Sequence, residues 1–153
     1  MKALVLSGGG LKGSYQIGAY KALKKLRYNF DIVTGTSIGA INGAFITAKE
    51  EKKAIELWKN VKINFLFTEK VNEDFIVLEY LRNIIKNKGM DVSALENNIN
   101  KYLNKNKFFK SNINFGLVTV NKKTKQPKYL EKKDFMEEWK FFHFYKLKFS
   151  DLF

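Results

Sequence analysis

The sequence predicts an α/β fold with a central, mostly parallel sheet. A short unbroken apolar run at residues 3–6 stops at glycine, and a second strand candidate at residues 31–34 also ends at glycine. Unbroken apolar runs of this length are typical of strands buried on both faces of a parallel sheet. A segment with helical apolar spacing follows each strand candidate, and this alternation indicates βα units.

The first βα unit joins the strand at residues 3–6 to a helix at residues 14–26. Lysines lie on one side of this helix, and its apolar positions follow helical spacing: Ile17, Ala19, Tyr20, Leu23 and Leu26. The second unit joins residues 31–34 to a helix at residues 38–48, which contains several small residues: Gly39, Ala40, Gly43 and Ala44. Because an interior glycine costs about 1 kcal/mol relative to alanine, we expect this helix to pack closely on the sheet.

The rest of the chain predicts further helices and one more pair of strands. The helices are expected at residues 50–61, 74–86 and 93–103, the last opened by the capping-box pair Ser93 and Glu96. A strand at residues 113–120 is followed by a lysine-rich turn and a return strand around residues 129–130. Without a repeat or linker, residues 1–153 form one expected domain, with an atypical aromatic tail at residues 135–153.

The charge of the chain is strongly positive and unevenly distributed. The formal net charge is +13, and residues 101–133 contain ten lysines against the single acid Glu131. Such a field attracts anionic lipid or nucleic acid. Only Arg27 and Arg82 supply the guanidinium groups favoured in base and phosphate recognition, so nucleic acid is the disfavoured partner. A solvated basic face with no dedicated partner is the simpler interpretation.

The residue inventory excludes several kinds of site. The chain has no cysteine and one histidine, His143, so disulfides, thiolate metal sites and histidine clusters are excluded. The apolar run at residues 3–6 is far too short for a signal-peptide core or a membrane span. We therefore expect a cytoplasmic protein without a bound metal.

A G-x-S-x-G pattern lies at residues 35–39, where a predicted strand gives way to a helix. In this context the pattern predicts a nucleophile elbow, in which a sharp turn exposes the serine hydroxyl above the sheet. Ser37 is the candidate nucleophile, and Gly35 and Gly39 allow the close backbone approach that the turn needs. Alone, a serine between glycines before a helix is more often an ordinary helix cap.

A second glycine-rich turn strengthens the prediction of a nucleophile. It follows the first strand and contains Gly8, Gly9, Gly10 and Gly13. Its bare backbone N–H groups could point at the same oxygen as the elbow, because neighbouring parallel strands end at one edge of a sheet. The two turns together predict a serine nucleophile and its oxyanion hole.

The pair of turns resembles the patatin-like phospholipase family, with its G-G-G-x-K/R-G oxyanion loop and D-x-V-x-G-T-S-x-G-A elbow. Residues 31–40 match the elbow throughout, and Lys12 falls on the basic position of the loop. The resemblance implies a three-layer patatin-like fold and a serine lipid acyl hydrolase of the phospholipase A or esterase type. It implies no metal or organic cofactor and a lipid or phospholipid acyl ester as substrate. Peripheral contact with an anionic membrane is expected instead from the basic residues 101–133.

The family also implies a catalytic Ser-Asp dyad, and here the chain departs from the pattern. The dyad aspartate belongs to an Asp-Gly-Gly or Asp-Gly-Ala motif, but no aspartate of this chain is followed by glycine. Asp31 precedes the elbow strand and is expected at its far end. Asp151 alone falls late enough in the sequence, yet leucine follows it, so the general base stays unassigned. We therefore expect a domain truncated at its carboxyl end.

Three alternatives remain open from the sequence. Gly8, Gly10 and Gly13 also fit the dinucleotide-binding pattern G-x-G-x-x-G of a Rossmann-type domain, with Asp31 as the ribose-binding acid. Against this, Asp31 begins its strand, whereas the ribose acid should end one. His143 could complete an ordinary α/β-hydrolase triad only from within the atypical tail. A catalytically inactive, basic lipid-binding protein would explain the missing base.

Overall fold

A computed structural model describes residues 1–60, 93–120 and 124–135 of the chain. Four strands are present in these ranges: β1 (Ala3–Leu6), β2 (Ile32–Gly35), β3 (Asn114–Val120) and β4 (Pro127–Glu131). Five helices accompany them: α1 (Gly13–Lys25), α2 (Ile38–Thr47), α3 (Glu51–Asn60), α4 (Ser93–Tyr102) and α5 (Lys105–Lys110). The helix predicted at residues 74–86 and nearly all of the aromatic tail lie outside the described residues.

The four strands form one sheet in the order β1-β2-β3-β4. β1 and β3 both run parallel to β2, whereas β4 returns antiparallel to β3. Leu6 at the end of β1 is in register with Gly35 at the end of β2. The predicted α/β fold with a mostly parallel sheet is therefore confirmed, and the carboxyl ends of β1 and β2 meet at one edge.

The elbow helix α2 lies directly against the sheet. Every residue of α2 is buried, and a Cβ atom on Gly43 would come 3.1 Å from Val33 Cγ1 and 3.2 Å from Phe115 Cε2. A glycine at this point lets the helix axis approach the sheet more closely than a larger residue would. The close packing predicted from the small residues of α2 is present, and it fixes the height of the elbow above the sheet.

Helix α5 was not predicted from the sequence, and polar contacts hold it in place. Asn104 caps it, because its side chain accepts a hydrogen bond from the Lys107 backbone N–H at 3.0 Å. The buried Glu50 carboxylate accepts from the Asn104 backbone N–H and the Lys107 ammonium, both at 2.8 Å. Phe108 of α5 then packs edge-on against Phe115 in β3, with ring centroids 5.2 Å apart. These contacts anchor α5, which belongs to the lysine-rich residues 101–133, to the core.

Candidate active site

Ser37 lies in the turn between β2 and α2, with an unusual backbone conformation. Its φ is 53° and its ψ is −129°. A non-glycine residue in such a sparsely populated region costs about 1–3 kcal/mol and persists only where the surrounding structure enforces it. Ser37 is exposed, and its side chain makes no capping hydrogen bond to α2. The backbone of this turn is therefore strained, and the ordinary helix-cap interpretation of this serine is not supported.

Two glycines make the elbow sterically possible. A Cβ atom on Gly35 would lie 2.3 Å from the Gly39 carbonyl carbon and 2.5 Å from the Ala40 nitrogen. A Cβ atom on Gly39 would lie 2.3 Å from the Leu6 carbonyl oxygen and 2.6 Å from the Ser7 carbonyl oxygen. Both glycines therefore lie in close backbone contact, as expected. Gly35 contacts the start of α2, and Gly39 contacts the end of β1.

The glycine-rich loop at residues 8–13 lies beside the elbow. A Cβ atom on Gly8 would stand 3.4 Å from Ser37 Cβ, and the Thr36 N–H donates to the Leu6 carbonyl oxygen at 3.0 Å. Gly10 has a φ of 53°, a conformation that glycine adopts without strain. The two predicted turns therefore share one edge of the sheet, and residues 7–12 are exposed to solvent there.

A short 3-10 turn, Gly10–Lys12, carries the loop into α1. Gly13 opens α1 in a crowded position, because a Cβ atom there would come 2.5 Å from Ile38 Cγ1 and 2.6 Å from Trp58 Cζ2. Lys12 is exposed beside it. The first turns of α1 and α2 thus lie close together, and helix amino termini favour developing negative charge nearby.

A buried polar network that sequence reasoning missed lies beneath the loop. The fully buried Asn42 donates from Nδ2 to the Gly13 carbonyl oxygen and to Gln16 Oε1, each at 2.9 Å, and accepts from Trp58 Nε1 at 2.9 Å. Gln16 Nε2 in turn donates to the Ser7 carbonyl oxygen at 2.7 Å. The available signal was Asn42 itself, an amide side chain in the middle of a helix made mostly of apolar and small residues, since buried polar side chains are hydrogen-bonded.

The contacts of the two aspartates in the described ranges, Asp31 and Asp134, place them away from the turn that carries Ser37. Asp31 precedes β2, and its Oδ2 accepts from the Lys2 backbone N–H at 2.6 Å, so it lies at the opposite end of the strand from the elbow. Asp134 accepts from the Glu131 backbone N–H at 2.7 Å, beyond the end of β4. Asp151 and His143 lie outside the described residues. The base therefore stays unassigned.

The position of Asp31 also bears on the dinucleotide-binding alternative. A ribose-binding acid must reach the same edge of the sheet as the glycine-rich loop. Asp31 lies at the opposite edge, beside the amino end of β1. The structure therefore argues against this alternative, although the spacing of Gly8, Gly10 and Gly13 fits its sequence pattern.

The residues that the structure describes contain no cluster of three or more histidine, cysteine, aspartate or glutamate side chains able to hold a metal ion. Within the same ranges, no helix has both the length and the apolar character needed to span a membrane.

The fold defines an α/β protein in which a strand–turn–helix places Ser37 beside a glycine-rich loop at one edge of the sheet. A model of the patatin-like phospholipase family matches residues 4–148, and the chain therefore belongs to this family of hydrolases. The four-stranded, mostly parallel sheet with its helices is consistent with the patatin-like fold.

Shorter segments are similar to individual proteins. The chain is 56% identical over 41 residues to lysophospholipase nte1 of Aspergillus terreus, covering 27% of this chain and 3% of that protein. It is 42% identical over 55 residues to patatin-like phospholipase domain-containing protein 7 of Rattus norvegicus, covering 36% and 4%. It is 47% identical over 51 residues to the uncharacterized protein YqhO of Bacillus subtilis, covering 33% and 18%. The chain thus spans only a small part of these relatives. No solved structure gives a significant match.

Proposed function

We propose that this chain is a serine acyl hydrolase that cleaves fatty-acyl esters of lipids, with Ser37 as the nucleophile. The observation that carries the proposal is the strained, exposed Ser37 at the edge of the sheet where the glycine-rich loop also begins. Backbone strain of this kind is found where a site must hold a group in a fixed orientation. Membership of the patatin-like phospholipase family and the similarity to a lysophospholipase support a lipid substrate.

In the proposed reaction, Ser37 Oγ attacks the ester carbonyl carbon while a general base takes the hydroxyl proton. The carbonyl oxygen becomes an oxyanion, and the alcohol part of the lipid leaves with a proton as the acyl-enzyme forms. Water, deprotonated by the same base, then attacks the acyl-enzyme and releases the fatty acid and Ser37. We assign no residue to the base, and Asp151 is the one weak candidate that the sequence offers.

We assign the oxyanion hole to the backbone of the glycine-rich loop, Gly8, Gly9, Gly10 and Gly13, with Lys12 at its basic position. Preorganised N–H donors aimed at a developing oxyanion are worth about 10²–10³ in kcat for a single donor. Three features support the assignment: the loop is exposed, it adjoins Ser37, and it leads into the amino terminus of α1. No metal or organic cofactor takes part in this scheme.

We also propose that the basic segment at residues 101–133 brings the protein to anionic membranes, where its substrate resides. Its described lysines on α5 and β4 are exposed, including Lys105, Lys110 and Lys128. Each lysine close to an anionic membrane surface contributes about 1 kcal/mol to the free energy of binding. This contact is peripheral, and a cytoplasmic location remains our prediction.

A catalytically inactive lipid-binding protein is the second candidate, since no aspartate of the chain stands in the Asp-Gly-Gly or Asp-Gly-Ala motif that the family's dyad uses. A covalent probe separates the two. We expect a fluorophosphonate to label the full chain at one site, Ser37→Ala to abolish labelling, and the distant control Ser111→Ala to retain it. Equal labelling of the wild type and Ser37→Ala would refute Ser37 as the nucleophile. Lipid binding without any labelling or ester hydrolysis would favour the inactive protein.

A further inference from the structure

We propose that Gln16 is a positioning residue that sets the orientation of the Ser7–Gly8 peptide unit, and with it the aim of the Gly8 N–H group. The inference deepens the proposed function and rests on it for its catalytic consequence. Gln16 belongs to α1 and is half-buried, and its Nε2 donates to the Ser7 carbonyl oxygen at 2.7 Å. This is the first peptide after β1, where the glycine-rich loop begins.

The orientation of one carbonyl decides the orientation of the next N–H group. A trans peptide unit is planar, and its C=O and N–H bonds point in opposite directions. With the Ser7 carbonyl directed at Gln16, the Gly8 N–H points to the other side of the same peptide. Gly8 is also the loop residue whose Cβ position lies 3.4 Å from Ser37 Cβ. A flip of this peptide would replace a donor beside Ser37 with a carbonyl oxygen, which repels an oxyanion.

The direction of the Gln16 amide is itself determined by the residues behind it. Trp58 Nε1 can only donate, so Asn42 must present Oδ1 to it and Nδ2 to the other side. Asn42 Nδ2 then donates to Gln16 Oε1, which leaves Gln16 Nε2 to face the Ser7 carbonyl. This chain of hydrogen bonds begins at the Trp58 indole, which can only donate, and ends at the Ser7 carbonyl, which can only accept. Rotating the side-chain amide of Asn42 or Gln16 by about 180° would therefore break its hydrogen bonds to both neighbours.

Burial makes this arrangement costly to break. Asn42 is fully buried and all its polar hydrogens and its oxygen are engaged at 2.9 Å. A buried polar group left without a partner costs about 1–3 kcal/mol. Asn42 also holds the Gly13 carbonyl oxygen, so both ends of the loop, residues 7 and 13, are fixed by one network. Gly8, Gly9 and Gly10 lie between these two fixed points, so the network limits the backbone conformations that the three glycines can adopt.

Two substitutions at Gln16 separate its two hydrogen bonds. Gln16→Met has a similar volume and removes both bonds. Gln16→Glu keeps the acceptor for Asn42 but at neutral pH has no proton to donate to Ser7. Lys21→Met is the matched control, because Lys21 is exposed on the same helix and receives the same new side chain. The full chain is labelled with ¹⁵N, and the Gly8 amide resonance is followed beside that of Phe45 in the core.

In Gln16→Met we expect the Gly8 resonance to shift or to double, with Phe45 unchanged and Lys21→Met like the wild type. In Gln16→Glu we expect the same displacement at pH 7, and a return toward the wild-type position as the introduced carboxyl gains a proton on acidification. With p-nitrophenyl butyrate, kcat of both Gln16 variants should fall about 10- to 100-fold while KM changes less than about twofold. The loss is smaller than the factor of about 10²–10³ that complete removal of one oxyanion donor costs, because the Gly8 N–H is still present and only its orientation is less restrained.

The possible outcomes distinguish the role of Gln16 in orienting the Ser7–Gly8 peptide from the proposed hydrolase function. An unchanged Gly8 resonance in both variants would overturn the role of Gln16, whatever the activity. A Gly8 resonance in Gln16→Glu that stays displaced at low pH would assign the effect to packing, and that too would overturn it. A displaced Gly8 in a chain without any Ser37-dependent hydrolysis would support the orientation and refute the proposed function instead.

Discussion

Gly39 lies so close to the end of β1 that a Cβ atom on it would stand 2.3 Å from the Leu6 carbonyl oxygen. The elbow and the strand that leads into the glycine-rich loop are therefore in backbone contact. Relative placement of the two turns depends on this contact, since neither backbone can move away without breaking the parallel pairing of β1 with β2.

We expect Gly39→Ala to lower the free energy of unfolding by about 1–3 kcal/mol, the usual cost of forcing extra volume into a packed site. Gly18→Ala in α1 is the matched control, because a Cβ atom there meets no described atom within 4 Å. That substitution should raise stability by about 0.4–1 kcal/mol. Urea unfolding of both variants measures the difference, and equal effects would contradict the close contact.

Ester hydrolysis by the 153-residue chain should be weak. A serine hydroxyl is a poor nucleophile at neutral pH without a base at about 2.6–3.2 Å, and the chain lacks the expected motif. The oxyanion hole and binding alone leave about 10³–10⁴-fold acceleration over water in other serine hydrolases. Turnover of p-nitrophenyl butyrate is compared among the wild type, Ser37→Ala and Asp151→Asn. Robust Ser37-dependent turnover that Asp151→Asn abolishes would show that Asp151 is the base.

Acid should weaken the link between α1 and α3. Burial alone would raise the pKa of Glu51. Hydrogen bonds from Lys24, from the Glu51 backbone N–H and from the Tyr20 hydroxyl, together with the charge of Lys24, outweigh burial and hold the pKa below its ordinary value. Because the folded pKa is depressed, the stabilisation is present above about pH 4.5 and is lost as pH falls through the folded value.

The substitution Glu51→Gln tests this pH dependence. At pH 7 it should cost about 0.2–1 kcal/mol, as for partly exposed ion pairs, and the cost should shrink on acidification to about pH 2–3. Glu56→Gln, which breaks the exposed pair with Lys53, is the control. Urea unfolding at several pH values measures both. A cost of Glu51→Gln that is the same at pH 7 and pH 3 would rule out the ion pair as its source.

Binding to anionic vesicles should depend steeply on salt. The screening length falls from about 10 Å at 0.1 M to about 3 Å at 1 M, so attraction by exposed lysines is lost over this range. Charge reversal at Lys105 and Lys128 should weaken binding more than charge reversal at Lys21, which lies outside the basic segment. Vesicle sedimentation measures this. Equal binding to neutral and anionic vesicles would leave only a solvated basic face.

The sequence predicts the first two βα units well because each strand is short, apolar and ended by glycine. β1 has the expected bounds, and α2 begins at the expected residue, Ile38. Helix α5 was missed because its residues are mostly lysine, asparagine and phenylalanine without a clear stripe, although Asn104 is a recognisable cap. The amide of Asn42 could have signalled a buried polar contact, but its partners could not be predicted, since hydrogen bonds among Gln16, Asn42 and Trp58 depend on how three helices pack.

The antiparallel strand β4 has a consequence for the behaviour of the protein at high concentration. It is the outermost strand on its side of the described sheet, and an exposed strand edge is a template for aggregation. β4 begins at Pro127, which has no N–H group to donate, and continues with the exposed Lys128. Both features discourage a second chain from adding a strand at the part of this edge that the structure describes.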